Sequence, residues 1–164
     1  DQVLMLHRVK KKNDINKDKW IGIGGKFEAD ESPDECLLRE AREETGLTLT
    51  RWQCRGVVTF LTENPGDGEF MYLFTADGFE GELKECDEGD LQWVDRAFLN
   101  DLPKWEGDQI FLDLLWQNAP FFLLTLRYSG DKLVEAVLDG KRIKSFNNEF
   151  NRCVTSVLRT IQLA

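Results

Sequence analysis

The stretch from Gly25 to Leu47, GKFEADESPDECLLREAREETGL, constrains this chain more than any other. Its second half reads as a helix with both ends written in. Ser32 is the N-cap, Pro33 takes the first helical position, and Glu35 sits where a capping box wants a carboxylate. Gly46 supplies the C-terminal stop. Between these ends Glu40, Glu43 and Glu44 stand at i, i+3 and i+4, so three carboxylates share one helical face. Like charges this close repel, and Arg39, which reaches Glu43 one turn on, cannot neutralise three acids alone. The missing positive charge points to a divalent ion. Oxygen-only ligands point to a hard one, magnesium, with manganese as a substitute.

An acidic helical face is more often simply solvated, but the residues before this one argue for chemistry. Gly22, Gly24 and Gly25 in GIGGK form a loop where backbone can approach a ligand closely, and Lys26 adds a charge suited to phosphate. Acids for a metal, glycines for close approach and a lysine for phosphate make one coherent site.

The pattern Gly25, Glu31, Arg39, Glu40, Ala41, Glu43, Glu44, Gly46, Leu47 resembles the box of the Nudix hydrolases, with every position of that box present. The resemblance implies an α/β/α sandwich, a mixed sheet between helices with the box as a loop–helix on one side. It also implies magnesium at the box and attack of water on a phosphorus of a substrate carrying a diphosphate linked to another group. Carried over residue by residue, Glu40, Glu43 and Glu44 are the metal ligands, and the carbonyl of Gly25 completes their shell. Glu40 or a downstream acid is the base, Arg39 orients Glu43, and Glu31 is a supporting or structural residue. The further carboxylate is expected from Cys86-Asp87-Glu88-Gly89-Asp90, with Glu88 the choice and a plain surface role its alternative.

Outside the box the chain looks most like the MutT-like group that hydrolyses oxidised purine nucleoside triphosphates. The likeness lies in Trp20 before the glycine loop, Trp93, and Trp105-Glu106-Gly107-Asp108 opening a helix. It implies that Trp105 and Asp108 hold the base, with Phe60 lining the same pocket; a core role for Trp105 is the alternative. Ile21 departs from the pattern, because it stands where relatives carry a hydrogen-bonding asparagine. Relatives also carry a strand before the one that opens this chain, so an N-terminal extension beyond Asp1 is expected. The expected substrate is a nucleoside triphosphate cleaved to the monophosphate and pyrophosphate. A dinucleoside polyphosphate, a nucleotide sugar or ADP-ribose is the alternative. Pro65, which some ADP-ribose enzymes would place near here, is explained by its turn cluster. A non-catalytic nucleotide sensor is a third reading, opposed by the intact box.

At 164 residues the chain is read as one domain with a real core. A formal charge of −9 argues against nucleic-acid polymers and membrane surfaces as partners, while a metal-neutralised site still admits a nucleotide. Four scattered cysteines without CxxC spacing, and no signal peptide or spanning run, point to a cytoplasmic protein.

In order, strands are expected at Val3–Val9, with His7 structural and Arg8 on substrate, and at Trp20–Ile23. Lys10–Lys19 between them is expected as a solvated, mobile loop that guides anions. Extended segments follow at Thr48–Thr50 and Arg55–Thr62, then a turn at Asn64–Gly68 and a return strand at Phe70–Ala76. Gly78–Asp90 reads as irregular, Leu91–Val94 as a strand and Arg96–Asp101 as a helical turn. Asp108–Gln117 is an amphipathic helix capped by Asp108, and Phe121–Tyr128 and Lys132–Leu138 form a hairpin. Phe146, Phe150, Val154, Val157 and Ile161 make a helical stripe, so a C-terminal helix is expected over 146–164.

Overall fold

A computed structural model of the chain describes residues 2–143, and the expected C-terminal helix lies outside them. The chain groups into two compact units, Asp1–Gln53 with Phe74–Trp105 and Cys54–Leu73 with Glu106–Ala164. Strands β3 (Thr48–Leu61) and β4 (Glu69–Glu80) run through both. Among the described residues no helix is long and apolar enough to cross a membrane.

The first unit holds a three-stranded sheet ordered β2-β1-β5, from β1 (Gln2–His7), β2 (Trp20–Ile21) and β5 (Asp90–Asp95), all antiparallel. Met5 and Leu6 of β1 are buried, and Leu6 pairs with Ile21. Helix α1 (Pro33–Thr45) has the ends its sequence predicts. The Ser32 hydroxyl accepts from the Glu35 amide, and the Ser32 N–H donates to the Glu35 carboxylate at 2.9 Å. Gly46 closes the helix in the left-handed region (φ 81°), its N–H on the carbonyl of Arg42. The helix end is pinned again by Lys84, whose amide donates to the Thr45 carbonyl at 2.9 Å. A 3₁₀ turn over Arg96–Asp101 buries Leu99.

The second unit carries α2 (Glu106–Trp116) and strands β6 (Phe122–Ser129), β7 (Lys132–Leu138) and β8 (Lys141–Ile143). The sheet order is β4-β3-β6-β7-β8, with β3 and β6 parallel and β6, β7 and β8 antiparallel, so the sheet is mixed as expected. Its inward residues are Val58, Phe122, Leu124, Leu126, Leu138 and Ile143. Gly107 seats α2: a side chain there would overlap Leu126 and the Tyr128 hydroxyl. That hydroxyl accepts the Gly107 N–H at 2.9 Å, and burial pushes its pKa up to about 12.

Several boundaries differ from expectation, each for a physical reason. β3 runs unbroken through 51–54, and β4 continues to Glu80, because ladder pairing extends strands past the residues that favour them. β2 stops at Ile21, before the glycines. α2 begins at Glu106, so Asp108 lies within its first turn and is not its cap; the docking of Gly107 on Tyr128 sets that start. β8 was not expected, although Asp139-Gly140, both at positive φ (46° and 78°), is the two-residue turn of a tight hairpin.

Candidate active site

In the first unit the glycine loop and α1 meet through two of the expected acids. Gly24 donates its N–H to Glu44 Oε2 at 3.1 Å. The Glu40 carboxylate occupies the space that a Cβ on Gly25 would need, so only glycine allows this approach. The three acids are not equivalent. Glu43 points outward, its side chain 62% exposed, whereas Glu44 is only 8% exposed. Burial, with the charges of Glu88 and Glu40 adding to it, pushes Glu44 up to about 7 against the hydrogen bond from Gly24.

Arg39 was expected to orient Glu43; in the structure it does more. It grips Glu31 with two N–H groups, at 2.7 and 2.9 Å, and reaches Glu40 at 2.7 Å and Glu43 at 3.2 Å. It also donates to the carbonyl of Lys26 at 3.1 Å, tying the helix to the exposed loop that carries that lysine. The Arg39 guanidinium and the Glu28 amide hold the Glu31 carboxyl down at about 2. Glu31 thus meets Arg39 through both its oxygens.

Glu88 is delivered to the same unit by a close approach. A Cβ on Gly89 would overlap the His7 carbonyl, so glycine lets the loop before β5 lie against the end of β1. Glu88 then accepts from both Lys11 and Arg8. The Lys11 ammonium holds its carboxyl below the usual range, and Arg8 adds to this. Arg8, expected on substrate, also donates Nε to Asp14 at 2.6 Å. Lys10–Lys19 is not simply a solvated loop. Arg8 and Lys19 close its base at 3.0 Å, and Lys10 donates to the Cys86 carbonyl at 2.8 Å. His7 stacks on Trp20 at 4.5 Å between ring centroids.

The donor set at the box is oxygen only, which suits a hard divalent ion, and a cation would remove the penalty carried by Glu44. Among the described residues no three His, Cys, Asp or Glu side chains converge as a ready cation site. The reason is visible in the ion pairs: Arg39 holds Glu40 and Glu43, while Arg8 and Lys11 hold Glu88. The residues fit the ion in kind, with guanidinium and ammonium groups in its place.

The residues expected at the base divide between the units. In the first, Trp105 is half-buried; its indole N–H donates to Asn16 Oδ1 at 2.8 Å, and the Lys19 ammonium lies 4.1 Å from its ring centroid. Ile21 pairs in β2. In the second, Phe60 is half-buried on β3, and Asp108 is half-buried in the first turn of α2. Asp14, Asn16 and Lys19 were not singled out by sequence reasoning. Their partners lie as far as 89 residues away, and no local pattern marks them.

The NUDIX domain family model matches residues 1–115. The chain is 33% identical over 152 residues to the uncharacterized Nudix hydrolase YvcI of Bacillus subtilis, covering 88% of this chain and 90% of that protein. It is 35% identical over 132 residues to an oxidized purine nucleoside triphosphate hydrolase of Danio rerio, covering 79% and 83% respectively. Among solved structures, a MutT protein from Bacillus halodurans aligns with a TM-score of 0.74 at 30% identity, covering 85% of this chain and 90% of that one.

Proposed function

This chain belongs to the Nudix hydrolase family, and from that premise we propose that it cleaves oxidised purine nucleoside triphosphates to the monophosphate and pyrophosphate. Nudix hydrolases act on nucleotide small molecules at pyrophosphate bonds and generally use divalent metal ions; the substrate and the ion named here are the finer step. The observation that carries the reading is the meeting of Glu40 and Glu44 with the glycine loop at Gly25 and Gly24. Two carboxylates beside close-approach backbone suit a cation that bridges protein and phosphate.

Glu40, Glu43 and Glu44, with the Gly25 carbonyl, would hold magnesium, or manganese in its stead, and Glu88 is the further acid. When bound, the ion offsets phosphate charge and lowers the pKa of an attacking water. Glu40 or Glu88 takes the proton from that water, and Arg39 keeps Glu40 oriented. Lys26 contributes its charge to the phosphates, and Arg8 serves the site by holding Glu88. In the first unit Trp105 stacks the base. A cytoplasmic setting completes this reading, in keeping with cysteines scattered without CxxC spacing.

The test is a screen of purified protein with magnesium over purine triphosphates and their oxidised forms, dinucleoside polyphosphates, nucleotide sugars and ADP-ribose, with products identified. Monophosphate and pyrophosphate from the oxidised purines in preference to all others supports the reading. Preference for another class, or binding without turnover, refutes it. Base reading is checked by comparing kcat/KM for a purine triphosphate and its oxidised form. If Trp105→Ala and Asp108→Asn both keep the wild-type ratio, these residues do not read the base. Ile21 supplies no hydrogen bond, so wild-type discrimination is expected to be modest.

A further inference from the structure

Glu88 and Trp105 are joined by an unbroken run of polar contacts within the first unit. Arg8 donates one N–H to Glu88 and its Nε to Asp14 Oδ2 at 2.6 Å. The other oxygen of Asp14 accepts the Asn16 amide at 2.9 Å, and Asn16 Oδ1 accepts the Trp105 indole N–H at 2.8 Å. The segment that carries these groups is clasped at both ends. The Asp18 amide donates to the Arg8 carbonyl at 2.8 Å, and the Trp20 amide to the Pro103 carbonyl, also at 2.8 Å, two residues before Trp105. Lys19, in the same loop, covers the Trp105 ring.

Two cations, Arg8 and Lys11, face two anions, Glu88 and Asp14, yet Arg8 contacts both acids. The side chains of Arg8 and Asp14 are only 11% and 6% exposed, and burying such a pair is costly unless each hydrogen-bonding group is used. Glu88 already has Lys11 as a cationic partner. The second guanidinium contact therefore ties Glu88 to Asp14 rather than merely neutralising it. An indole held by one directed acceptor keeps a fixed ring rotation. Moving that acceptor turns the stacking face.

We propose that Asp14 and Asn16 are positioning residues which couple the orientation of Trp105 to the placement of Glu88. When Glu88 shifts from Arg8 to act as the further acid of the site, Arg8 is redistributed between its two carboxylates. The Asp14–Asn16 turn then adjusts the acceptor that holds the indole. The tryptophan is set for a base only when the phosphate end is engaged. This proposal rests on the assignment of Trp105 to the base made above.

The test reads the indole N–H resonance of Trp105 in the full chain, assigned with Trp105→Phe, in wild type, Glu88→Gln, Asn16→Ala and Asn16→Asp. Glu88→Gln is expected to move the Trp105 resonance and leave in place that of Trp52, which lies on β3. Asn16→Ala should abolish the response, and Asn16→Asp, which keeps an acceptor oxygen, should restore it. In kinetics, losing one directed hydrogen bond should raise KM for a nucleoside triphosphate about fivefold to tenfold, more than it lowers kcat. A Trp105 resonance indifferent to Glu88→Gln overturns the coupling, as does a loss in Asn16→Ala confined to kcat. If the wild type turns over no nucleoside triphosphate, the functional reading fails instead, and the resonance experiment still decides the coupling.

Discussion

Glu44 offers the sharpest quantitative check, because its burial makes ionisation expensive in the metal-free protein. Its pKa lies near 7 in the fold against an ordinary 4.5, a difference of about 3 kcal/mol. Between those two values the folded protein keeps a proton that the unfolded chain has lost. Stability from this group is therefore whole below pH 4.5, declines as pH rises toward 7, and is gone above it. Glu44→Gln keeps an acceptor for the Gly24 amide but cannot ionise. Wild type and variant should be equally stable near pH 4.5, and above pH 7 the variant should lead by up to about 3 kcal/mol. Urea unfolding in the presence of a chelator, from pH 4.5 to 8, measures this. The other carboxylates are common to both proteins and cancel in the difference. Parallel profiles, or a wild type that stays ahead at pH 8, would refute the reasoning. Adding magnesium should stabilise the wild type at pH 8 and help the variant much less, in keeping with ligand linkage.

Glu43→Gln and Glu44→Gln should each lower turnover by at least about a hundredfold while leaving the fold intact, and exhaustive chelation should stop hydrolysis. Unchanged turnover after chelation would count against the metal. Ser32→Ala removes the hydroxyl that accepts the Glu35 amide and leaves the backbone half of the capping box, and should cost about 1 kcal/mol in urea unfolding without altering base preference. Gly107→Ala sets a methyl against Leu126 and the Tyr128 hydroxyl, so a loss of about 1–3 kcal/mol is expected, read as a lowered denaturant midpoint.

What could be read from sequence divides by the range of the forces involved. Helix α1 was legible to the residue, because its cap, its proline and its stop act within one turn. The three acids were legible as a face, yet periodicity cannot tell which part of that face turns inward. That Glu44 is buried and Glu43 exposed depends on how the helix lies against the glycine loop. Asp108 failed as a cap because a tertiary contact, Gly107 on Tyr128, starts the helix two residues earlier. By composition the loop at 10–19 is a run of solvated lysines. Its actual order comes from Glu88, Cys86 and Trp105, which no local pattern connects to it. The hairpin at Asp139-Gly140 has a two-residue turn in its sequence, but the three residues of strand that follow are too few for alternation to mark.

Arg39 has a consequence for how such a protein is made and kept. One guanidinium already grips Glu31, Glu40 and Glu43. These three acids need no metal in order to coexist in the fold, and Glu44 alone is left without a cation by that grip. Small metal-built domains stay unfolded until their ion arrives, so their maturation waits on supply. Here the chain carries its own placeholder cation, and assembly without the ion forgoes only the relief of Glu44. A metal that takes Glu40 exchanges for an arginine contact rather than ordering a loose chain. Ion uptake then becomes a reversible swap on a finished scaffold, and starvation for metal would leave an idle protein rather than a misfolded one.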